Sequence, residues 1–351
     1  NELDFPFKRY QIQKVWRGER PQDGRFREFT QADIDVVGLG ELPFHYEVDL
    51  PLVMAEALMS LPIPPVHVLV NNRKVVQGIC EGLGVDDVES ALRGLDKLDK
   101  IGPEGVAEEL AEAGLEQPQI EVLLRMAQIR TEDSEHLRSE VNALGVSSET
   151  LTQGLDELCA LVEQAGAAMP GVVLADLKIA RGLDYYTGSV YESEIVGHED
   201  LGSICSGGRY DSLAKDGKRS YPGVGLSIGV SRLVSRILSQ DMVTASRKVP
   251  TCVVIAVADE EQRQHCNALA TILRKRGIPT DVAPSAAKFG KQIKFADKRG
   301  IPFVWFPGSE GEADTVKDIR SGEQVQADIY NWQPPAEDLH PSIVPTQDSN
   351  D

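Results

Sequence analysis

Val15 to Val37 reads VWRGERPQDGRFREFTQADIDVV: a strand, a charged loop and a second strand. The first strand runs out through Arg17 and Glu19, and the loop carries Arg20, Pro21, Gly24, Arg25 and Arg27. The second strand alternates Phe29, Gln31 and Asp35. Guanidinium groups in such a loop clamp a polyphosphate as bidentate donors. Side chains two apart share one face of a strand, so the polar residues of the returning strand line a pocket floor. This segment alone predicts an anionic ligand held over a sheet.

The rest of the chain constrains that ligand. With 351 residues there is room for two or three domains with real cores. A hydrophobic content of 41% and a charged content of 26% are those of a globular protein. No run of about 18 apolar residues occurs, so no membrane span is expected. No secretory signal opens the chain, which starts at Asn1 just before a strand pattern, so upstream sequence is expected. The five cysteines (Cys80, Cys159, Cys205, Cys252, Cys266) form no C-x-x-C pair. They read as reduced thiols of a cytoplasmic protein rather than as a disulfide or zinc framework. The six histidines are dispersed without metal-ligand spacing. A net charge of −19 argues against nonspecific nucleic-acid binding but leaves room for a local basic patch.

Pattern divides the chain into five regions. Residues 1–73 alternate as strands, followed by a helix near Glu47–Ser60 and a β-branched strand at Val66–Val70. In 74–170 the strands give way to four helical runs: VESALRGLDKLDKI, PEGVAEELAEAGL, QIEVLLRMAQI and ETLTQGLDELCALVEQAG. Gly102-Pro103 breaks them, and Ser148 caps the last. Strands return in 171–244, with a Gly-rich stretch and then a helix over Val230–Ser239. In 245–335 strands alternate with helices, which predicts a small, mainly parallel α/β unit ending in a hairpin. Residues 336–351 read as a flexible tail. The fold class is therefore mixed α/β (α+β).

Three further segments carry chemistry. ARGLDYYTGSVYE, from Ala180 to Glu192, places an arginine near two adjacent tyrosines, read as a strand whose hydroxyls face opposite sides. SGGRYD, from Ser206 to Asp211, reads as a glycine turn that lets backbone approach a ligand. GVGLSIGVSRL, from Gly223 to Leu233, is a small-residue strand entering a helix whose first turn carries Arg232. Singly, each has an ordinary structural explanation: a turn, a half-buried strand, a surface arginine. The loose G-x-G-x-x-G lacks the acidic residue of a dinucleotide site.

In this order the four segments resemble the histidyl-tRNA synthetase family, within class II of the aminoacyl-tRNA synthetases. VWRGERPQDGRFREF resembles motif 2 and GVGLSIGVSRL motif 3, which together indicate only the class. ARGLDYYTGSVYE and SGGRYDSL resemble the two histidine-specific signatures, and FGKQIKFADKRGIPFVWFPG is similar to the family's anticodon-binding domain. The resemblance implies an antiparallel sheet flanked by helices, interrupted by a helical insertion at 74–170 and followed by an anticodon-binding domain at 245–335. It also implies ATP as substrate with Mg²⁺, histidine tRNA and L-histidine as partners, and a homodimer.

The implied roles fall on particular residues. Arg17 contacts the α-phosphate and the amino-acid carboxylate, Arg181 neutralises charge at the α-phosphate and lies in the histidine site, and Arg232 clamps the opposite side of the bent triphosphate. Glu19 holds the adenine amino group, Phe29 stacks on the adenine, and Arg25 meets the γ-phosphate. Gln31 binds the α-amino group. Asp35 and Tyr186 pair with the two imidazole nitrogens, with Tyr185 shaping the pocket. Many bacterial members carry Glu where this chain has Asp35. Arg20 and Gln22 face the tRNA acceptor end, while Lys288, Lys291, Lys294 and Lys298 form a basic face toward the anticodon, or a solvated helix face. The family's motif 1, which builds the dimer interface, is expected upstream of Asn1. The competing reading is a non-catalytic paralogue acting as a regulatory subunit.

Overall fold

The charged loop joins two long strands. The computed structural model describes residues 3–18, 26–180, 185–309 and 311–346. β1 (Phe7–Trp16) and β2 (Glu28–Val37) pair antiparallel, with Phe7 opposite Val37 and Trp16 opposite Glu28. The chain divides into two units, Asn1–Met242 and Val243–Asp351.

In the first unit the hairpin is followed by α1 (His45–Met59), β3 (Val66–Asn72), α2 (Arg73–Gly82), α3 (Val88–Leu95), α4 (Leu98–Glu112), α5 (Gln117–Met126), β4 (Arg130–Thr131), α6 (Ser134–Asn142) and α7 (Glu149–Ala168). The chain then returns to strands: β5 (Val173–Asp176), β6 (Ser189–Ile195), β7 (Cys205–Tyr210), the short β8 (Lys215–Asp216) and β9 (Arg219–Ser220), and β10 (Gly223–Ile228), before α8 (Val230–Ser239). Eight strands form one sheet in the order β1-β2-β10-β7-β6-β3-β5-β4. Its neighbours are antiparallel except for the parallel pair β3/β5.

Strand alternation separates two faces. Val68, Val70, Val173 and Ala175 of one face share an apolar core with Val76, Ile79, Leu155, Leu158 and Val162 of the helices. On the other face, Leu69, Ile179 and Val190 form a small separate apolar cluster against Leu174 and Tyr186. The helices cross closely where glycines allow it. A Cβ on Gly78 would stand 2.2 Å from the Leu151 nitrogen, so α2 and α7 meet through bare backbone. Ser148 caps α7 as its sequence predicts: its hydroxyl accepts the Leu151 N–H at 3.0 Å and donates to the Gly78 carbonyl at 2.8 Å. α4 breaks at Gly102 (φ 72°), and Pro103 opens its second segment. Pro51 lies inside α1 and cannot donate to the Glu47 carbonyl one turn back. The Tyr191 hydroxyl takes that carbonyl instead, at 2.9 Å.

Two helices, α2 and α6, lie outside the four predicted runs. RKVVQGICEG carries two β-branched valines and two glycines, so its intrinsic preference is weak and its buried face (Val75, Val76, Ile79, Cys80) decides the outcome.

The second unit begins with β11 (Val243–Ala245) and continues as β12 (Val253–Ile255), α9 (Arg263–Lys275), β13 (Thr280–Val282), α10 (Phe289–Arg299), β14 (Phe303–Phe306), β15 (Thr315–Asp318), β16 (Gln324–Gln326), α11 (Ala336–Leu339) and β17 (Ile343–Pro345). Its five-stranded sheet runs β13-β12-β14-β15-β16, parallel across the first three strands and closed by the predicted hairpin. The tail, predicted to be flexible, is held through residue 346. β17 pairs with β11, Arg247 donates to the carbonyls of Asp338 (2.7 Å) and Leu339 (3.1 Å), and Arg320 forms a fork on the Asp338 carboxylate at 2.7 Å. The Pro- and Asp-rich composition concealed this because these bonds form with residues distant in sequence.

Candidate active site

The second face of the large sheet carries the polar residues that the sequence singled out. At one level across five pairings stand Arg9, Asp35, Gly225, Gly208, Val190 and Asn71, contributed by β1, β2, β10, β7, β6 and β3. Glycine alternates with Val and Leu in β10 so that the bulky side chains enter the core while the other face stays bare. Val224 and Leu226 are buried. On the bare side, a Cβ at Gly225 would meet Asp35 Oδ1 at 2.1 Å, and one at Gly223 would meet the Tyr210 ring at 2.4 Å. A Cβ at Gly208 would lie 2.9 Å from the Tyr186 ring. Asp35, Tyr210 and Tyr186 therefore lie flat over a glycine floor.

Asp35 is the centre of this arrangement. Its Oδ1 accepts the Tyr210 hydroxyl at 3.0 Å, and its Oδ2 forms an ion pair with Arg9 Nε at 3.0 Å. Burial pushes the Tyr186 phenol well up, with Tyr185 and then the Asp35 charge adding to it. Burial also raises the Tyr210 phenol, with the Asp35 charge next. Both phenols thus stay protonated as donors at neutral pH. Beside this level, Ser227 donates to Asp33 Oδ1 at 2.5 Å.

Toward the hairpin tip, Phe29 lies beneath Arg17, whose guanidinium carbon is 4.8 Å from the ring centroid. Gln31, half-buried, lies between Phe29 and Asp33 on the same face. The start of α8 is stitched to this hairpin, because Ser231 Oγ accepts the Thr30 N–H at 2.8 Å. Arg232, in the same first turn, donates from Nη2 to the Leu201 carbonyl at 2.8 Å. The structure thus brings together Arg17 with Phe29, and Asp35 with Tyr186. Glu19, Arg20, Gln22, Arg25 and Arg181 lie outside the described residues.

Two sequence readings change. SGGRYD is not a turn, since Cys205–Tyr210 is the interior strand β7. The two tyrosines do not alternate along a strand. They precede β6 with ring centroids 4.3 Å apart and planes at 55°, and Tyr186 packs against the small apolar cluster rather than pairing in a ladder. Within SGGRYD the arginine is architectural. Arg209 Nη1 reaches the buried Glu47 carboxylate at 2.7 Å and the Leu42 carbonyl at 3.1 Å. Glu47 also accepts the Ser189 N–H at 3.1 Å. Thr187 donates to Asp211 Oδ2 at 2.5 Å, so the two signatures lock each other. Arg9 lies outside the quoted motifs, and Tyr210, inside SGGRYD, had no role of its own there. Their signal was register: each stands on the Asp35 face one strand or two away.

Among the described residues no group of three or more His, Cys, Asp or Glu side chains could hold a metal ion. A cleft of about 470 Å³ lies between the hairpin and α1, lined by Tyr10, Ile34, Val36, Tyr46, Leu50 and Val53 and touched also by Arg9 and Asp35. Its lining is mostly apolar. In the second unit, Lys288, Lys291, Lys294 and Lys298 lie on α10 and at its start. The opposite side of that helix is pinned by Gln292, which exchanges hydrogen bonds with the Val257 backbone at 2.9 and 2.8 Å.

An antiparallel sheet with a glycine-floored polar face, followed by a parallel α/β unit, is the architecture of a class II aminoacyl-tRNA synthetase. The histidyl-tRNA synthetase family model matches residues 5–233, and the anticodon binding domain model matches residues 251–331. A histidine–tRNA ligase of Micrococcus luteus is 57% identical over 99% of this chain and 76% of its own length. The solved histidyl-tRNA synthetase from Nostoc sp. PCC 7120 is 34% identical with a TM-score of 0.79, covering 93% of this chain and 77% of that one. An ATP phosphoribosyltransferase regulatory subunit/histidyl-tRNA synthetase from Bacillus halodurans shares the fold at 19% identity and a TM-score of 0.63, over 83% of this chain and 72% of that one. The chain belongs to the histidyl-tRNA synthetase family.

Proposed function

We infer that the protein is a histidine–tRNA ligase. The histidine carboxylate attacks the α-phosphate of ATP, expelling pyrophosphate, and the resulting adenylate esterifies the terminal ribose of histidine tRNA. Such transfer needs fixed positive charge around phosphate oxygens more than a strong base. Arg17, Arg181 and Arg232 are the proposed cations, with Arg17 also on the substrate carboxylate. Phe29 takes the adenine in place of the guanidinium that now covers it, while Glu19 and Arg25 hold the adenine amino group and the γ-phosphate. Mg²⁺ is proposed as a companion of the triphosphate, held mainly by phosphate oxygens and water, the coordination that ion prefers.

The observation that carries the histidine reading is the convergence of one carboxylate and two protonated phenols on the glycine floor. A neutral imidazole offers one donor and one acceptor. Asp35 receives the ring N–H, Tyr186 donates to the other nitrogen, Tyr185 closes the side, and Gln31 takes the α-amino group. Arg20 and Gln22 are proposed acceptor-end contacts, and the lysines of α10 are proposed to meet the anticodon stem. Regions 1–73 and 171–244 are read as the catalytic core, 74–170 as its helical insertion and 245–335 as the anticodon unit. A homodimer fits the apolar side chains that Tyr10, Ile12 and Trp16 expose on edge strand β1. Five free, buried thiols fit a cytoplasmic setting. The non-catalytic alternative is disfavoured by the retained Arg17, Arg181 and Arg232 and by the 57% identity to a ligase.

Charging of histidine tRNA with labelled histidine tests the reading. Esterified histidine on that tRNA, and none on a tRNA of another specificity, is the expected result. A full-length protein that binds histidine but never forms the ester would belong to the regulatory class.

A further inference from the structure

We propose that Arg9, ahead of the arginine loop, is a positioning residue that aims the Asp35 carboxylate at the imidazole. The proposal rests on the reading that Asp35 receives the ring N–H. Arg9 and Asp35 stand directly opposite each other across β1 and β2. Arg9 Nε meets Oδ2 at 3.0 Å, and its Nη1 is tethered in turn to Gln11 Oε1 at 3.3 Å. The Tyr210 hydroxyl binds the other oxygen at 3.0 Å from β7, two strands away on the opposite side.

A carboxylate offers about four acceptor positions. Here the Tyr210 hydroxyl fills one and the Arg9 guanidinium holds the other oxygen as an ion pair, from separate strands, which restrains the terminal torsion, one that is otherwise broad for aspartate. Gly225 beneath supplies bare backbone, so the sheet does not hold the group sideways. Direction comes from the two donors. An aspartate is one methylene shorter than a glutamate and has fewer torsions with which to correct its aim, so an external brace matters more. With a hydroxyl on one oxygen and a guanidinium charge beside the other, the group offers its remaining acceptor positions to a ring that brings an N–H.

Arg9 keeps 39% of its side chain exposed, so its removal is compatible with folding. The test is Arg9→Leu and Arg9→Lys in histidine-dependent ATP–pyrophosphate exchange, with β-(thiazol-4-yl)alanine, whose ring has no N–H, as competitive inhibitor. Arg9→Leu is expected to raise the histidine KM about tenfold, a misaimed group rather than a lost one. The ATP KM, the melting temperature and the thiazolylalanine inhibition constant stay unchanged, and Lys restores part of the effect. Equal weakening of histidine and thiazolylalanine would mean a general disturbance of the pocket and overturn the proposal. So would an unchanged histidine KM. Asp35→Asn separates the two levels. If it raises the histidine KM and Arg9→Leu does not, the brace is wrong and the imidazole reading stands. If neither does, the imidazole reading itself fails.

Discussion

Replacing Asp35 by Asn exchanges one oxygen for an amide nitrogen at nearly constant volume. In the structure Oδ1 accepts the Tyr210 hydroxyl at 3.0 Å and Oδ2 is ion-paired with Arg9 at 3.0 Å. An asparagine has one acceptor oxygen. It must face Arg9, which can only donate, while the amide turns to Tyr210, whose hydroxyl rotates to accept. The histidine ring N–H then shares that single neutral oxygen with a guanidinium. A hydrogen bond to a charged group contributes about 1.5–3 kcal/mol, against about 1 kcal/mol for a neutral one. At about 1.4 kcal/mol per decade, the difference of about 0.5–2 kcal/mol predicts a roughly 2- to 30-fold fall in kcat/KM for histidine. The 21% exposure of the Asp35 side chain favours the lower half of that range. Pyrophosphate exchange at varied histidine and then varied ATP is the assay, and only the histidine parameters should move. An Asp35→Asn enzyme with the parent kcat/KM for histidine, or with the loss on the ATP side, would refute the assignment.

Three other outcomes follow from the same geometry. Gly225→Ala drives a methyl to 2.1 Å from Asp35 Oδ1 and 3.2 Å from the Ile34 carbonyl, so the histidine KM should rise at least tenfold with a stability loss of about 1–3 kcal/mol by urea denaturation. Glu47→Ala takes from Arg209 its buried carboxylate and leaves it only the more exposed Asp211, so the cost in the same titration should fall below the roughly 3–5 kcal/mol of a fully stranded buried charge, at about 2–3 kcal/mol, with Glu47→Gln recovering much of it. Burial pushes the Cys80 thiol up to about 12 and the Cys252 thiol up to about 11. Since a raised pKa withholds the thiolate until high pH, the folded protein at pH 8 should resist iodoacetamide at all five cysteines, which react once denaturant is added. Rapid native labelling at pH 8, read by mass spectrometry, would contradict the burial.

Local pattern carried the parts of the fold that local pattern decides. The alternation of Phe29, Gln31 and Asp35 marked a face, the Val230–Ser239 helix appears with its predicted bounds, and the strand-helix alternation after Val249 gives the parallel sheet. Legibility failed where distant residues decide. α2 forms because α7 lies against it through Gly78, and the tail after Pro334 is held by Arg247 and Arg320. In the site, Arg209 drew notice as part of a glycine motif but points into the core toward Glu47, while its neighbour Tyr210 faces Asp35. Adjacent residues in a strand take opposite faces, and which face belongs to the ligand emerges only from pairing with β10. Arg9 was hidden for the same reason: well before Arg17 in the chain, it becomes a neighbour of Asp35 only through the hairpin register.

The central claim is that this polar face selects histidine and activates it. Pyrophosphate exchange by the full-length protein, run separately with each of the twenty amino acids, tests it most directly. Exchange is expected with histidine and only background with the other nineteen, because a pocket built to pair both ring nitrogens rejects side chains that leave them unpaired by about 10⁴ or more. Exchange driven by a different amino acid, or no exchange with histidine by a folded protein, would contradict it.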